Sequence, residues 1–93
     1  MPTKLDLEAQ KMHWRSRLLD FGEDVLLEKR RKLRKTQLEI SKNIGLNQSQ
    51  ISRLERGLTR PLDIPTIEAV CSAYKLSLKE KQEYFKLSLG IEL

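Results

Sequence analysis

The sequence has few of the residues on which metal sites, disulfides and most enzymes depend. It contains one cysteine, Cys71, and one histidine, His13. A single cysteine cannot form an internal disulfide, and together with one histidine it cannot complete a metal site. A Ser-His-Asp or Cys-His arrangement also has no basis here, so we expect neither an enzyme nor a metal or other cofactor.

Aromatic side chains, long apolar runs and strand patterns are also scarce. Aromatic residues make up 5% of the chain, which argues against a protein that binds single strands by base stacking. The longest apolar runs, such as Val25-Leu26-Leu27, are far too short to span a membrane, and no secretory segment follows Met1. We expect a soluble, all-α protein of the reducing cytoplasm, with no membrane and no small-molecule ligand as partner.

What the chain does have is positive charge, and that charge is concentrated. The 93 residues, enough for one domain, carry a net charge of +5. Residues 29–60 hold ten Lys or Arg and two acids, a net charge of +8, whereas the rest of the chain carries −3. Such sorting is typical of a protein that binds a polyanion. An anionic membrane would also attract it, but residues 29–35 lack the apolar face of an interfacial helix, so the pattern favours nucleic acid.

Helix starts recur along the chain, each with a capping residue followed three places later by a carboxylate or an amide. They begin at Asp20, Thr36, Asn47 and Ser77, and Asp63 precedes a further start with Pro65 in its first turn. Gly45, Gly57 and Gly90 stand where helices would end. The sequence therefore predicts six helices, over 4–19, 21–34, 37–44, 48–56, 64–74 and 78–89. We divide the chain into an N-terminal helical extension, 1–20, and a domain, 21–93.

The stretch 36–56 predicts two short helices joined by a tight turn at Gly45, which is a helix-turn-helix unit. The small residue Ser41 allows the two helices to approach closely. An apolar wedge is expected between them from Ile40, Ile44, Leu46, Ile51 and Leu54. With that wedge turned inward, the outward face of the second helix carries Gln48, Ser49, Ser52, Arg53 and Arg56.

This outward face has the chemistry of base reading in the major groove. Glutamine can bond bidentately to adenine and arginine to guanine, and a serine can serve either edge. A polar helix face is usually only solvated, and that interpretation stays open. The basic cluster, the short preceding helix and the tight turn together favour DNA.

Residues 21–78 resemble the phage repressor and Cro group of helix-turn-helix domains, the XRE family. The matching residues are Leu33, Thr36, Gln37, Ile40, Gly45, Gln48, Ile51, Leu54, Glu55, Gly57, Val70–Ala73 and Leu76–Leu78. The resemblance implies a compact lambda-repressor-like bundle of five short helices, here with an extra N-terminal helix, and places helix 48–56 in the major groove. Ser41 stands where the family commonly has alanine, and the segment after Gly57 is longer than usual.

The resemblance also implies roles for individual residues. Gln48, Ser49 and Arg53 match base-contacting positions, to which the outward face adds Ser52. Gln37, Thr59 and Arg60 match phosphate-contacting positions, and the complete set of expected phosphate contacts is Lys35, Thr36, Gln37, Asn47, Gln50, Arg56, Thr59 and Arg60. Arg30 and Glu55 align with a pair that forms an internal salt bridge, so we do not count Arg30 among the DNA contacts.

The resemblance implies a transcriptional regulator, and we expect a repressor that binds duplex DNA at a pseudo-palindromic operator as a homodimer. The dimer surface is expected on the N-terminal extension or on helix 78–89, through Tyr84, Phe85, Leu89 and Ile91. Control could come from a protein antagonist or a toxin partner. An antitoxin-type autoregulator and a protein-interaction adaptor with the same fold remain alternatives.

The N-terminal extension has three possible uses. It could form the dimer contact, pack on the core of its own chain, or act as a DNA-touching arm through Lys4, Lys11, Arg15 and Arg17. His13 and Trp14 are expected to be packing or surface residues rather than ligands. Cys71 is expected to be buried among the apolar residues of helix 64–74.

Overall fold

The computed structural model describes residues 16–90, and that part of the chain folds into five helices without a strand. The helices are α1 (16–32, with a π-helical stretch over Gly22–Leu27 and α-helical turns over Glu28–Lys32), α2 (Gln37–Ile44), α3 (Gln48–Glu55), α4 (Ile64–Ala73) and α5 (Leu78–Leu89). The predicted all-α bundle is confirmed, and the predicted bounds of α2 to α5 agree to within about one residue.

Several predictions lie outside the described residues. They concern most of the predicted helix 4–19, including His13 and Trp14, and the contact expected from Ile91. Between residues 16 and 90, no helix has the length and apolar character that crossing a membrane requires.

α1 continues through a break that the sequence predicts. The sequence predicts separate helices over 4–19 and 21–34, with Asp20 as the cap between them. This prediction is wrong. Phe21 has helical dihedral angles, φ −63° and ψ −42°, and no side chain caps the backbone there. The cause is tertiary packing, because Leu18 and Phe21 both lie in the core and a continuing helix puts them on one face. The division of the chain at residue 20 stays a prediction.

The other helix starts follow the predicted capping residues. Thr36, Asn47 and Ser77 each accept a hydrogen bond from the third residue of the helix that they precede, and each forms a full capping box. Asp63 caps α4 in the same way without a box. Gly45 ends α2 with φ +84°, the left-handed conformation that glycine adopts without strain. These local bonds determine where α2 and α3 begin, and therefore the geometry of the turn between them.

The core lies where the helices cross, since α2 packs on α3 and α4, α3 packs on α1, and α4 packs on α5. Of the predicted wedge, Ile40 and Ile51 have no exposed surface and Leu54 is 4% exposed, while Ile44 and Leu46 pack against them partly buried. Other apolar side chains without exposed surface include Leu26, Ile67 and Val70. Burial of this kind is the main favourable term in folding a chain of this size.

Cys71 is buried among the apolar residues of α4, as the sequence predicts. Burial raises the pKa of its thiol from about 9 to about 11. The thiol is therefore neutral at physiological pH and behaves as a small apolar side chain.

The burial of α5 differs from the prediction at Tyr84. The spacing along the helix puts Leu78, Phe85 and Leu89 on one face, where Leu78 is 73% exposed and Leu89 is 38% exposed. Tyr84 and Leu87 face the core instead, each 1% exposed, and the ring of Tyr84 stacks on Phe21 at 5.1 Å between ring centroids. Tyr84 therefore cannot belong to the dimer surface on which the sequence places it.

Two glycines allow α1 to cross the end of α3 without a side chain between them. A Cβ atom on Gly57 would lie 2.3 Å from the Cα of Leu19, and a Cβ on Gly22 would lie 2.8 Å from the carbonyl oxygens of Leu54 and Glu55. Both distances are shorter than atoms tolerate, so the two backbones touch directly. This crossing positions α3 relative to the rest of the fold.

Candidate nucleic-acid interface

The two faces of α3 differ completely in burial. The inner face consists of Ile51, Leu54 and Glu55, whose exposed fractions are 0%, 4% and 2%. The outer face consists of Gln48, Ser49 and Arg53, all exposed. Within residues 16–90, the outer-face side chains make no hydrogen bond or ion pair. Their donors and acceptors are therefore available to a partner.

The remaining predicted residues of α3 lie beside the outer face. Ser52 is half-buried at its edge, and Arg56, which follows the last residue of the helix, is exposed. Gln50 is half-buried in the first turn. A ligand that contacts the outer face would meet the Arg56 guanidinium next to it.

The start of α3 presents amide donors. Oδ1 of Asn47 accepts a hydrogen bond from the backbone N–H of Gln50 at 2.9 Å, and Oε1 of Gln50 accepts one from the backbone N–H of Asn47 at 2.9 Å. Because these bonds use the carbonyl oxygens of both side chains, each amide keeps its NH₂ group as a donor. The capping box thus orients two NH₂ groups, from which a phosphate could accept hydrogen bonds.

The start of α2 is capped by Thr36, whose partner in the capping box is the acidic residue Glu39. Thr36 Oγ1 accepts from the backbone N–H of Glu39 and donates to Glu39 Oε1, so the Thr36 hydroxyl is used within the cap. The bonds from Thr36 hold the pKa of the Glu39 carboxyl below its usual value. A phosphate at this position would meet the first-turn backbone N–H groups of α2 more readily than the Thr36 hydroxyl.

Gln37, the first residue of α2, is half-buried and bonds inward. Its Nε2 donates to Oε1 of Glu55 at 3.2 Å. One N–H of the amide is therefore taken by the inner face of α3, while the second N–H remains as a donor for a phosphate.

The carboxylate of Glu55 joins four helices. Arg30 Nε in α1 donates to both of its oxygens, at 3.0 and 2.8 Å, so the predicted ion pair is present. The hydroxyl of Tyr74, at the end of α4, donates to Glu55 Oε2 at 2.6 Å. Burial, together with this bond to a carboxylate, raises the pKa of the Tyr74 phenol well above its usual value. The hydroxyl therefore remains a donor at every physiological pH.

Arg30 also reaches the loop before α2. Its Nη1 donates to the carbonyl oxygen of Lys35 at 3.1 Å, and its side chain is 17% exposed. The same guanidinium thus fixes the carboxylate of α3 and the backbone that leads into α2. Because these bonds occupy the Arg30 guanidinium, we do not count Arg30 among the cations that could contact a ligand.

A groove of about 220 Å³ joins the outer face to the loop between α3 and α4. Arg53 lines it together with Arg60, Thr59 and Gln50, so residues predicted separately as base and phosphate contacts lie together. Asp63 also lines the groove, but its carboxylate accepts from the hydroxyl and the backbone N–H of Thr66. Two guanidinium groups therefore face the groove, and its one carboxylate is already hydrogen-bonded.

Most of the predicted basic cluster has no acidic partner. Of the ten basic residues over 29–60, Lys29 pairs with Glu80 and Arg30 with Glu55. The other eight make no ion pair with any carboxylate between residues 16 and 90: Arg31, Lys32, Arg34, Lys35, Lys42, Arg53, Arg56 and Arg60. Unpaired charge of one sign around a polar helix face attracts a polyanion and raises its rate of association.

Sequence reasoning missed the tyrosine and the glutamine of this network. The sequence pattern predicts no polar contact for Tyr74, and for Gln37 it predicts only a contact with a phosphate. A buried carboxylate needs more donors than one arginine supplies, and that requirement was the available signal. It does not say which of the nearby donors satisfies the carboxylate.

Comparison with known proteins finds a family model that matches the chain. A model of the helix-turn-helix family matches residues 26–81, which is more than half of the chain and includes α2, α3 and α4. Searches of curated proteins and of solved structures found no match.

Proposed function

This chain belongs to the Cro/C1-type helix-turn-helix family, the XRE family of DNA-binding transcription regulators, and we propose that it is a repressor that reads a pseudo-palindromic operator as a dimer. In this proposal α3 lies in the major groove of duplex DNA. The observation that carries the proposal is the outer face of α3, whose side chains are exposed and without partners in the described part of the chain.

Base reading is assigned to the outer face and to Ser52 at its edge. Gln48 offers the paired donor and acceptor that match adenine, and Arg53 offers the paired donors that match guanine. Ser49 and Ser52 are short enough for the helix to approach the base edges closely. No acidic side chain interrupts this surface, because Glu55 lies on the inner face.

Phosphate binding is assigned to the rim around α3. Donors come from the start of α2, from the start of α3 and from the loop that follows α3. They are Lys35, the first-turn backbone and side chain of Gln37, the NH₂ groups of Asn47 and Gln50, Arg56, Thr59 and Arg60. Thr36 contributes less than predicted, because its hydroxyl serves the cap.

A dimer follows from the size of the recognition surface. One helix of eight residues with four base-reading side chains covers only a few base pairs. Two copies related by a two-fold axis place their recognition helices in successive major grooves, about 34 Å apart. Repression then needs no further machinery, because a protein seated on an operator blocks access to the same DNA.

Selection of bound fragments from a pool of random duplexes tests this proposal. We expect an enriched motif with two-fold symmetry and half-sites separated by about one helical turn. The matched control is the variant Gln48→Ala/Ser49→Ala/Arg53→Ala, which should bind DNA in a salt-dependent way without enriching any motif.

Three results would change the conclusion. No enrichment with the native chain would contradict base reading. An enriched asymmetric motif would retain base reading but contradict the dimer. The same motif with the triple variant would contradict the assignment of the outer face.

A further inference from the structure

A buried carboxylate lies behind the proposed DNA surface. Glu55 is 2% exposed, and four hydrogen bonds reach it from three other helices. One of the donors, the Tyr74 hydroxyl, belongs to a side chain with no exposed surface and cannot contact DNA itself. Another, the Gln37 amide, belongs to the proposed phosphate-binding rim.

We propose that Tyr74 is a positioning residue for DNA binding, whose hydroxyl acts through Glu55 to hold the Gln37 side chain in the orientation that receives a phosphate. This inference rests on the proposed function, because it assumes that Gln37 contacts DNA.

The arrangement of bonds on the carboxylate supports this assignment. Oε2 of Glu55 accepts from the Tyr74 hydroxyl at 2.6 Å, and Oε1 accepts from the Gln37 amide at 3.2 Å. Arg30 Nε lies between them and bonds to both oxygens. The tyrosine therefore occupies the side of the carboxylate opposite to the glutamine. With the hydroxyl in place, the carboxylate cannot turn its Oε1 away from Gln37 without losing its shortest bond.

The benefit to binding is pre-organisation. A glutamine side chain has several rotatable bonds, and fixing them when DNA arrives costs conformational entropy. Glu55 holds one N–H of the amide before DNA arrives. Part of the conformational entropy is therefore lost when the chain folds, and less is lost when DNA binds. The second N–H of Gln37 stays available as a donor to the phosphate.

The chain offers a matched internal control. Tyr84 is also buried, at 1% exposure, and its hydroxyl has no hydrogen-bond partner among the described residues. Tyr84→Phe therefore removes the same atom from the same core without touching the Glu55 network. Any effect that is specific to Tyr74→Phe comes from the bond to Glu55.

The test is a double-mutant cycle on DNA affinity with the full chain, using the duplex enriched by the selection and a random duplex of equal length. All variants are measured at a temperature where circular dichroism shows them folded. We expect Tyr74→Phe to weaken binding to both duplexes by about three- to tenfold. Gln37→Ala should weaken binding at least as much. In the Gln37→Ala background, Tyr74→Phe should cause no further loss of affinity.

The salt dependence separates this effect from lost charge. Neither substitution removes a cation, so the slope of affinity against salt concentration should stay unchanged, while Lys35→Ala should reduce it. Tyr84→Phe should leave affinity and slope as they are. Should Tyr74→Phe prevent folding, Gln37→Asn replaces it as the probe, because the shorter side chain keeps its amide but cannot reach Glu55. It should bind as weakly as Gln37→Ala.

The possible failures are distinguishable. The inference is overturned if Tyr74→Phe has no effect, if it weakens binding equally with and without Gln37, or if Gln37→Asn binds like the native chain. In each of these cases the native chain still binds its duplex, and the proposed function survives. If the native chain binds no duplex at all, the proposed function fails and the inference fails with it.

Discussion

The inner and outer faces of α3 meet different requirements within a single helix of eight residues. On the inner face each side chain is determined by its neighbours, since Ile51 and Leu54 fill the core and Glu55 satisfies donors from three other helices. On the outer face no described neighbour constrains Gln48, Ser49 or Arg53. The comparison predicts that stability and the proposed DNA preference are carried by separate residues one turn or less apart.

The largest expected effect is on the inner face. Glu55→Ala removes one partner of a buried ion pair and leaves the Arg30 guanidinium and the Tyr74 hydroxyl without their acceptor. We expect the free energy of unfolding, measured by urea denaturation, to fall by about 3–5 kcal/mol. The control on the same helix is Ser49→Ala, which should change it by less than about 0.5 kcal/mol. Equal losses for the two variants would remove the distinction between the faces.

The next effect is on the outer face and concerns DNA alone. Arg53→Ala should cost about 1–3 kcal/mol of binding to the selected duplex and relax the base preference there, with the free energy of unfolding unchanged. Arg56→Ala is the matched arginine control, which should weaken binding to every sequence and reduce the salt slope by about one. If Arg53→Ala weakened binding to the selected and to the random duplex to the same extent, Arg53 would be a phosphate contact in the groove that it shares with Arg60.

A smaller effect is expected at Asn47, which both caps α3 and belongs to the proposed phosphate-binding rim. A substitution there tests whether stability and DNA binding can be changed separately at one residue. Asn47→Asp keeps a good capping oxygen, so stability should be unchanged, but it places a negative charge where a phosphate is proposed. We expect binding to weaken by about 1 kcal/mol at low salt and by less as salt rises. Ser77→Asp makes the same change at the cap of α5 and should leave DNA binding intact. A loss of stability in Asn47→Asp would show that its amide is needed for the fold.

The smallest effect appears only at alkaline pH and separates the core from the outer face. Burial raises the pKa of the Cys71 thiol to about 11, so the folded chain holds this proton more tightly than the unfolded chain does. Its contribution to stability is complete below about pH 9 and is lost as the pH rises towards 11. Urea denaturation between pH 9 and 10 should show a smaller decline for Cys71→Ala than for the native chain, and equal declines would contradict the assignment.

What the sequence predicts well here depends on local chemistry. The starts of α2, α3 and α5 follow from capping boxes, whose members lie three residues apart and need no knowledge of the fold. The orientation of α3 was predictable for a similar reason, because Ile51 and Leu54 are its only large apolar side chains and define one face. Given that face, the positions of Gln48 and Arg53 are determined.

What the sequence predicts poorly depends on contacts between distant residues. α5 has two apolar stripes, and the choice of Tyr84 and Leu87 over Leu78 and Leu89 depends on Phe21, which stacks on Tyr84 from another helix. The bonds from Gln37 and Tyr74 to Glu55 likewise join residues 18 and 19 positions apart. No spacing rule within one helix encodes such pairs.

The crossing of α1 with the end of α3, at Gly22 and Gly57, has a consequence for how this chain can vary. Where two helices meet through side chains, a substitution on one can be compensated by a new rotamer or a smaller residue on the other. Where main-chain atoms touch, nothing can move aside. Among functional variants of this protein we therefore expect these two positions to tolerate the fewest residue types, while the surface proposed to select an operator diversifies.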